Sequence, residues 1–377
     1  MFAIVNVWYL TSLICIGICV KLYWKLSTRW NGSYSCLVGK TAVVTGANSG
    51  KPNYQITINL SMSIFRWIIY LLMTHLYILE ILHFINIIWF FHTGLGYNTA
   101  LDFAKRGARV ILACRSKERA EAACSKIIKE TGNKNVSYKL IDLTSLQSVR
   151  NFAEEFNKTE DRLDILVNNA ALGVFEKDYT DDGIQFLLHV NHISPFLLTH
   201  LLIGKLKQSA PSRIVTVASL AGALSPMNLD NINKVPKILL FTELRDAMVY
   251  GTTKLYNILF TNELARRLDG TGVTVNALHP GCVSTELFRG FKGIIQFITQ
   301  LLAYSLFMTS EEGAQTQIYL GVSKDVENIS GGLFTNCRQI GVYSTAKDPQ
   351  LAKKLWQISE ELAHINPNEK INFPINK

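Results

Sequence analysis

Six short apolar segments, separated by amphipathic stretches, constrain the fold of this chain more than any other feature. They are rich in Val, Ile and Leu and end in turn or polar residues, as buried strands do. The six are TAVVTG (41–46), ARVILAC (108–114), VSYKLIDL (136–143), LDILVNNA (163–170), RIVTVAS (213–219) and VTVNALHPG (273–281). Stretches between them, such as NTALDFAKRG and SKERAEAACSKIIKETG, carry helix formers and end in glycine. This alternation predicts a parallel sheet covered by helices on both faces, a doubly wound α/β domain.

Composition excludes several classes of protein. The chain has 377 residues, of which 48% are hydrophobic, enough for a substantial core. Its net charge of +9 comes from scattered residues, without a basic block interleaved with aromatics. We therefore expect the positive surface to face anionic lipid and not to bind nucleic acid. The seven cysteines form no CxxC pair, which predicts a reduced compartment, no disulfide framework and no metal site.

The N-terminus predicts a membrane anchor. Residues 2–20 contain no charge, and about twenty apolar residues span a bilayer core. Lys21, Lys25 and Arg29 follow, so the positive-inside tendency places the bulk of the chain in the cytosol. A cleaved signal peptide is the alternative, but the basic segment before it and the cleavage site after it are missing. A buried N-terminal helix is the other alternative.

A glycine-rich turn follows the first predicted strand. Gly46, Ala47, Asn48, Ser49 and Gly50 form a turn in which glycines let the backbone approach a pyrophosphate, and a following helix would offer its N-terminus to the anion. The expected helix does not follow. Residues 51–93 intervene, and the turn resumes at Gly94-Leu95-Gly96.

The second predicted strand ends at Arg115. An acidic residue at this position would bind a ribose 2′-hydroxyl, whereas an arginine suits a 2′-phosphate. The sequence therefore favours NADP(H) over NAD(H), with a strand-capping arginine as the alternative.

Four polar residues form a candidate catalytic set. Tyr250 and Lys254 are four residues apart, which places them on one face of a helix, where the ammonium would lower the pKa of the phenol. Tyr250 could then exchange a proton with a hydroxyl or carbonyl group. Ser219 ends a strand, where open α/β sheets hold their site residues. Asn191 lies in an otherwise apolar helical stretch, where the alternative is a hydrogen-bonded core amide.

The series TGANSG, LACR, IDLTSLQSVR, NNA, NH-x5-LLT, VAS-LAG, Y-x3-K and HPG-x3-TEL resembles the short-chain dehydrogenases/reductases, within them the membrane-anchored retinol dehydrogenase-like subgroup. The resemblance implies one Rossmann-type catalytic domain over residues 38–363. It implies catalysis by Asn191, Ser219, Tyr250 and Lys254, with Asn191 also helping to order a proton-relay water. The cofactor contacts that it implies are Gly46, Asn48, Ser49, Gly50, Gly96, Arg115, Asp142, Leu143, Asn168, Tyr250, Lys254, Pro280, Gly281, Val283 and Thr285.

The resemblance also implies an activity and a location. The activity is NADP(H)-dependent interconversion of a lipophilic alcohol, such as a retinoid, and its aldehyde or ketone. The location is the endoplasmic reticulum membrane, with the catalytic domain in the cytosol. A steroid or fatty aldehyde reductase, and a catalytically disabled binding protein of the same fold, are the alternatives. Self-association into a homo-oligomer stays open.

The interruption at 51–93 contains a 26-residue apolar run, 67–92, with Glu80 as its one acid. A second membrane span there would draw the two parts of the turn apart. Removing the 44 residues 51–94 from 377 leaves 333 and restores TGANSGLGYNTALDF. Gly-Lys can be encoded as G|GTAAG, and Phe-Phe-His-Thr-Gly as a pyrimidine-rich run ending in CAG|GT, with the frame preserved. We therefore interpret the segment as a retained intron or a gene-model error.

Overall fold

The computed structural model describes residues 25–48, 94–225, 227, 229–236, 242–281, 283 and 307–369. Its strands are β1 (Thr41–Thr45), β2 (Arg109–Cys114), β3 (Val136–Leu140), β4 (Ile165–Asn168), β5 (Ser212–Val217), β6 (Val273–Leu278), β7 (Leu333–Thr335) and β8 (Arg338–Ile340). Five of the six apolar segments contain one of the first six strands, and β5 begins one residue before its segment. The third strand is shorter than its segment because a turn begins after Ile141.

The helices are α1 (Leu95–Lys105), α2 (Lys117–Thr131), α3 (Leu146–Thr159), α4 (Phe186–Gln208), α5 (Thr242–Arg267), α6 (Ser310–Val322) and α7 (Pro349–Leu362). Short 3₁₀ turns cover Leu220–Leu224, Lys324–Val326, Ser344–Lys347 and Pro367–Glu369. Helix α4 is not regular, because its second part, His189–Ile193, is a π-helical turn. Sequence periodicity did not predict that turn.

The sheet has the order β3-β2-β1-β4-β5-β6-β7-β8, and all neighbours are parallel except β7 and β8. The predicted doubly wound Rossmann-type architecture is confirmed. Strands β7 and β8 escaped the sequence reading because three residues each are too few to show a period. The order reverses between β1 and β4, and open α/β sheets bind ligands in the crevice at such a point.

One apolar core lies on each face of the sheet. The first includes α3, α4, α5 and α7, and the second includes α1, α2 and α6. Within the described part of the chain, α4 is the one helix with the length and composition to cross a membrane. Its most apolar window is 94% buried inside the domain, so it serves here as a core helix. The predicted anchor at 2–20 and the interruption at 51–93 lie outside the described residues.

Candidate functional site

The predicted phosphate turn is assembled from both sides of the interruption. Gly46 ends β1 with a left-handed φ of 68°, and α1 begins beyond Gly94. A Cβ placed on Gly96 would lie 3.0 Å from the carbonyl oxygen of Gly46 and 2.6 Å from Asn169 Nδ2. The two glycines therefore meet as the motif requires, and any side chain at 96 would force this contact apart.

The N-terminus of α1 fits an anion. Its first turn contains no acid, and Gly94 supplies no side chain to cap the free N–H groups. Such a terminus carries a partial positive charge and unpaired donors, as a bound phosphate needs. The turn therefore suits the pyrophosphate of a dinucleotide. Ser49 and Gly50, which the sequence also assigns to it, lie outside the described residues.

Buried hydrogen bonds that the sequence did not predict hold this turn against the end of β4. The Thr45 hydroxyl accepts from the backbone N–H groups of Asn169 and Ala170, each at 3.0 Å. Asn169 Nδ2 donates to the Thr45 carbonyl at 2.9 Å, and Gln317 of α6 donates to Asn169 Oδ1 at 3.2 Å. The second asparagine of the NNA motif thus fixes the ends of β1 and β4 to each other.

The first asparagine of that motif points into the core. Asn168 is 5% exposed and its Nδ2 donates to Thr199 of α4 at 2.8 Å. Its Oδ1 has no hydrogen-bond partner among the residues described, and this buried acceptor is the atom left for a ligand. The predicted contact between Asn168 and a cofactor stays a prediction.

Three further predicted cofactor residues lie in the loops after β2 and β3. Arg115 directly follows β2, is exposed, and forms no ion pair with any described residue. Asp142 closes a turn by accepting from the N–H and hydroxyl of Thr144, at 2.9 and 2.8 Å. Leu143 is fixed to α4, since its carbonyl accepts from Ser194 at 2.7 Å. All three lie beside the same edge of the sheet as the turn.

Ser219, Tyr250 and Lys254 come together at the end of β5. Helix α5 places the Lys254 ammonium 5.6 Å from the centre of the Tyr250 ring, which confirms that the two share a face. Lys254 Nζ donates to the Val217 carbonyl at 2.8 Å, and Ser219 follows two residues later. Tyr250 is 3% exposed and Lys254 is 1% exposed. Polar groups this deeply buried are held in one geometry.

The pKa of Tyr250 is shifted in the direction opposite to the one expected from the sequence. Burial raises the pKa of Tyr250, and hydrogen bonding with the Ser219 side chain lowers it by less. Burial also lowers the pKa of Lys254 to about 7. Removing both side chains from water disfavours phenolate and ammonium alike. At neutral pH, Tyr250 is therefore a protonated phenol.

Asn191 is a hydrogen-bonded core amide, the alternative that the sequence left open, and it also connects the site. Its side chain pairs with the backbone of Leu172, accepting from N–H and donating to the carbonyl, both at 2.8 Å. Its Nδ2 also donates to Thr253 at 3.1 Å, and the Thr253 hydroxyl donates to the Tyr250 carbonyl at 2.7 Å. One amide thus joins α4, the loop after β4 and α5.

Gly222 is a positioning residue that the sequence reading missed. A Cβ there would lie 3.0 Å from the backbone nitrogen of Leu255 and 3.3 Å from the carbonyl carbon of Lys254. The 3₁₀ turn after Ser219 therefore packs directly on the backbone of α5. The glycine three residues after Ser219 was the available signal.

The loop after β6 closes the same edge. Gly281 has a φ of 90°, and a Cβ there would lie 2.5 Å from the sulfur of Met308. Val283 is fully buried and forms a β-bridge with Met308. Pro280 is buried beside them, and Thr285 lies outside the described residues.

Two surface cavities lie elsewhere and share no lining residue with the catalytic set. One, of about 980 Å³, lies between residues 29–36 and the segment around Lys324, and the other, of about 560 Å³, lies beside Arg266. The position of the candidate site therefore rests on the side chains of Ser219, Tyr250 and Lys254, which line neither cavity.

Comparisons with known proteins agree with this geometry. The family model described as short chain dehydrogenase matches residues 91–230, beginning within the last three residues of the interruption. Dehydrogenase/reductase SDR family member 13 from Bos taurus is 45% identical over 282 residues, which cover 74% of this chain and 72% of that protein. Human retinol dehydrogenase 14 is 42% identical over 286 residues, which cover 71% of this chain and 83% of that protein.

Solved structures share the fold. An uncharacterised protein from Mycobacterium paratuberculosis aligns with a TM-score of 0.62 at 25% identity, over 92% of this chain and all of its own. L-Sorbose reductase from Gluconobacter frateurii, solved with NADPH and L-sorbose, aligns with a TM-score of 0.56 at 20% identity, over 84% of this chain and all of its own.

Proposed function

Because this chain belongs to the short-chain dehydrogenase/reductase family and its retinol dehydrogenase-like subgroup, we propose that it is an NADP(H)-dependent oxidoreductase. Its substrate is a lipophilic alcohol, such as a retinoid, or the corresponding aldehyde or ketone. The observation that carries the proposal is the convergence of Ser219, Tyr250 and Lys254 at the ligand-binding edge of the sheet.

The chain's own residues handle the proton and the reacting oxygen. Tyr250, protonated at neutral pH, gives its proton to a carbonyl oxygen as negative charge develops there. The Ser219 hydroxyl donates to or accepts from the same oxygen and so holds it beside the phenol. Lys254, fixed to the Val217 carbonyl, places its amino group against the Tyr250 ring. The nicotinamide supplies or accepts the hydride when bound. A protonated Tyr250 supports carbonyl reduction as the direction to test first.

The cofactor part of the proposal rests on the turn and on Arg115. Gly46, Asn48 and Gly96 would surround the pyrophosphate at the N-terminus of α1. The exposed guanidinium of Arg115, which forms no ion pair with any described residue, supports NADP(H), because arginine recognises a phosphate with two parallel hydrogen bonds. Asp142 and Leu143 would lie on the adenine side. Asn168 and the loop from Pro280 to Thr285 would contact the central part of the cofactor.

The substrate and the location rest on the relatives and on the sequence. Several relatives are named retinol dehydrogenases, and they cover most of this chain. The uncharged stretch 2–20 would anchor the protein in the endoplasmic reticulum membrane, with the catalytic domain in the cytosol. A lipophilic substrate dissolved in that membrane would then lie close to the site.

Replacement of Tyr250 with Phe tests the assignment. We expect kcat to fall by about 10³-fold, because general acid catalysis contributes on that order. The affinity for NADPH should stay within about twofold of the unaltered protein, since only the proton donor is removed. The measurement is NADPH oxidation with a panel of retinal, a ketosteroid and a long-chain aldehyde.

Tyr256→Phe is the matched control, because Tyr256 lies on the same helix and is 2% exposed. It should keep kcat within a few-fold. Equal loss in both variants, or full activity of Tyr250→Phe, would contradict the catalytic role. A chain that does not bind NADPH in a thermal-shift assay would instead support a catalytically disabled binding protein.

A further inference from the structure

A buried chain of three polar side chains ends at the π-helical turn that carries Asn191, and the proposed reaction does not use it. His192 Nε2 lies 2.9 Å from the Ser359 hydroxyl of α7, and His192 Nδ1 lies 3.2 Å from Asn257 Oδ1 of α5. Asn257 Nδ2 donates to the backbone carbonyl of Asn191 at 3.0 Å. Ser359, His192 and Asn257 are 0%, 1% and 4% exposed.

The donor and acceptor roles of His192 and Asn257 in these hydrogen bonds can be assigned. Burial lowers the pKa of His192 to about 4, so the imidazole is neutral at neutral pH and carries one hydrogen. Because Asn257 turns its Nδ2 toward Asn191, its Oδ1 must accept, and His192 Nδ1 carries the hydrogen. His192 Nε2 is then an acceptor that faces the Ser359 hydroxyl. That hydroxyl also donates to the Leu355 carbonyl at 2.7 Å, so the two acceptors share its single hydrogen.

The sequence explains why the chain ends at the Asn191 carbonyl. In a regular helix this carbonyl would accept from the residue four positions later, which is Pro195 and has no N–H. The helix instead forms a π-helical turn, in which Ser194 N–H bonds to the His189 carbonyl five residues back. Asn257 Nδ2 is the donor that pairs with the carbonyl that Pro195 cannot serve.

The orientation of that turn determines where the Asn191 side chain goes. Its amide pairs with both backbone groups of Leu172 and reaches Thr253, which lies between Tyr250 and Lys254 on α5. A rotation of the π-helical turn would break these bonds together. Because Asn257 lies three residues after Lys254, one face of α5 carries both the proposed catalytic lysine and the donor that holds α4 beside it.

We propose that Asn257 is a positioning residue: its amide, oriented through His192 by Ser359, fixes the Asn191 turn and thereby aligns Tyr250 and Lys254. The catalytic part of this inference rests on the proposed function. The alternative is a hydrogen-bonded core amide that contributes stability only. The two differ in what the loss of Asn257 does to kcat and to the loop at Leu172.

The test compares Asn257→Leu with Asn276→Leu in the full-length protein. Asn276 is the matched control, because it is also 4% exposed and also pairs with backbone groups, the Ile329 carbonyl and the Gly332 N–H. Leucine has nearly the shape of asparagine, so both variants lose hydrogen bonds with little change in volume. Kinetics are measured well below the unfolding temperature of each variant.

We expect Asn257→Leu to lower kcat by about 10- to 100-fold, the loss expected when reacting groups shift by about 1 Å. KM for the carbonyl substrate should change less than threefold, and the pH profile of kcat should shift. Asn276→Leu should keep kcat within about threefold and leave its pH profile unchanged. Ser359→Ala, a smaller change, should lower kcat in the same direction by a few-fold. Equal losses of kcat in the two leucine variants, or an unchanged kcat in Asn257→Leu, would overturn the proposal.

Hydrogen exchange gives a second measurement that does not depend on turnover. Asn257→Leu should speed amide exchange by at least about tenfold over 171–175 and 189–196, whereas Asn276→Leu should do so near 329–332. If the unaltered protein reduces no substrate of the panel, the proposed function fails, and the exchange pattern still decides whether Asn257 positions the loop. Unchanged exchange over 171–175 in Asn257→Leu would overturn the proposal.

Discussion

The phosphate turn and the proton-transfer cluster are two halves of one site that the chain builds in different ways. The turn joins Gly46 to Gly96 across an interruption, whereas Ser219, Tyr250 and Lys254 come from one short stretch of sequence. The turn presents backbone groups, whereas in the cluster the Tyr250 and Lys254 side chains are buried. β1 and α1 bring Gly46 and Gly96 together although 49 residues separate them in the sequence. Residues far apart in sequence can therefore meet at one turn when a strand and a helix of the same core place them there.

The largest effect should come from removing residues 51–94. The 333-residue form joins Gly50 directly to Leu95 and restores a short turn at the mouth of the crevice. It also lacks the apolar run 67–92, whose side chains would have to be buried away from water. We expect NADPH to bind at least about 100-fold more tightly than in the 377-residue form, about 2.7 kcal/mol. Isothermal titration of both forms measures this.

Equal affinities in the two forms would show that the interruption is neutral for the cofactor. Sequencing of mature transcripts gives an independent answer. If all of them retain the segment, the retained-intron interpretation is wrong, whatever the affinities are.

Gly96→Ala should have the next largest effect. The added Cβ would lie 2.6 Å from Asn169 Nδ2 and 3.0 Å from the Gly46 carbonyl, so the turn must widen. We expect the Kd for NADPH to rise by about tenfold, or about 1.4 kcal/mol. Gly204→Ala is the control, because a Cβ there meets nothing within 4 Å, and it should leave the Kd unchanged. Unchanged NADPH binding in Gly96→Ala would show that the close approach is not part of a phosphate site.

Arg115→Ser should change the preference between cofactors. Loss of the guanidinium removes the charge proposed to pair with the 2′-phosphate, so the ratio of NADPH to NADH affinity should fall by about tenfold. Arg119→Ser, a change at another exposed arginine four residues later, should leave the ratio intact. A ratio that stays the same in Arg115→Ser would remove the reason to favour NADP(H).

The last expected effect concerns stability and not cofactor binding: it is a dependence of the free energy of unfolding on pH through His192. Burial lowers the pKa of His192 from 6.5 to about 4, so the unfolded chain binds the proton more tightly than the folded protein. The stabilisation is complete above pH 6.5 and is lost as the pH falls toward 4, by up to about 3 kcal/mol.

Unfolding by urea at pH 7 and pH 5 measures this loss of stability. His192→Gln should be less stable at pH 7 and should lose less stability on acidification. Equal slopes in the two proteins would place the dependence on other groups, such as His189 and His279, whose pKa values burial also lowers to about 4.

The sequence by itself determined where six strands lie along the chain, which segments between them are helical, and that Tyr250 and Lys254 share one face of a helix. These follow from local periodicity, which depends on backbone geometry over a few residues. Only the tertiary structure decided that Gly46 meets Gly96, that the pKa of Tyr250 rises, and that Asn257, His192 and Ser359 form one chain. Those features depend on burial and on contacts between residues up to 167 positions apart, which no local pattern encodes.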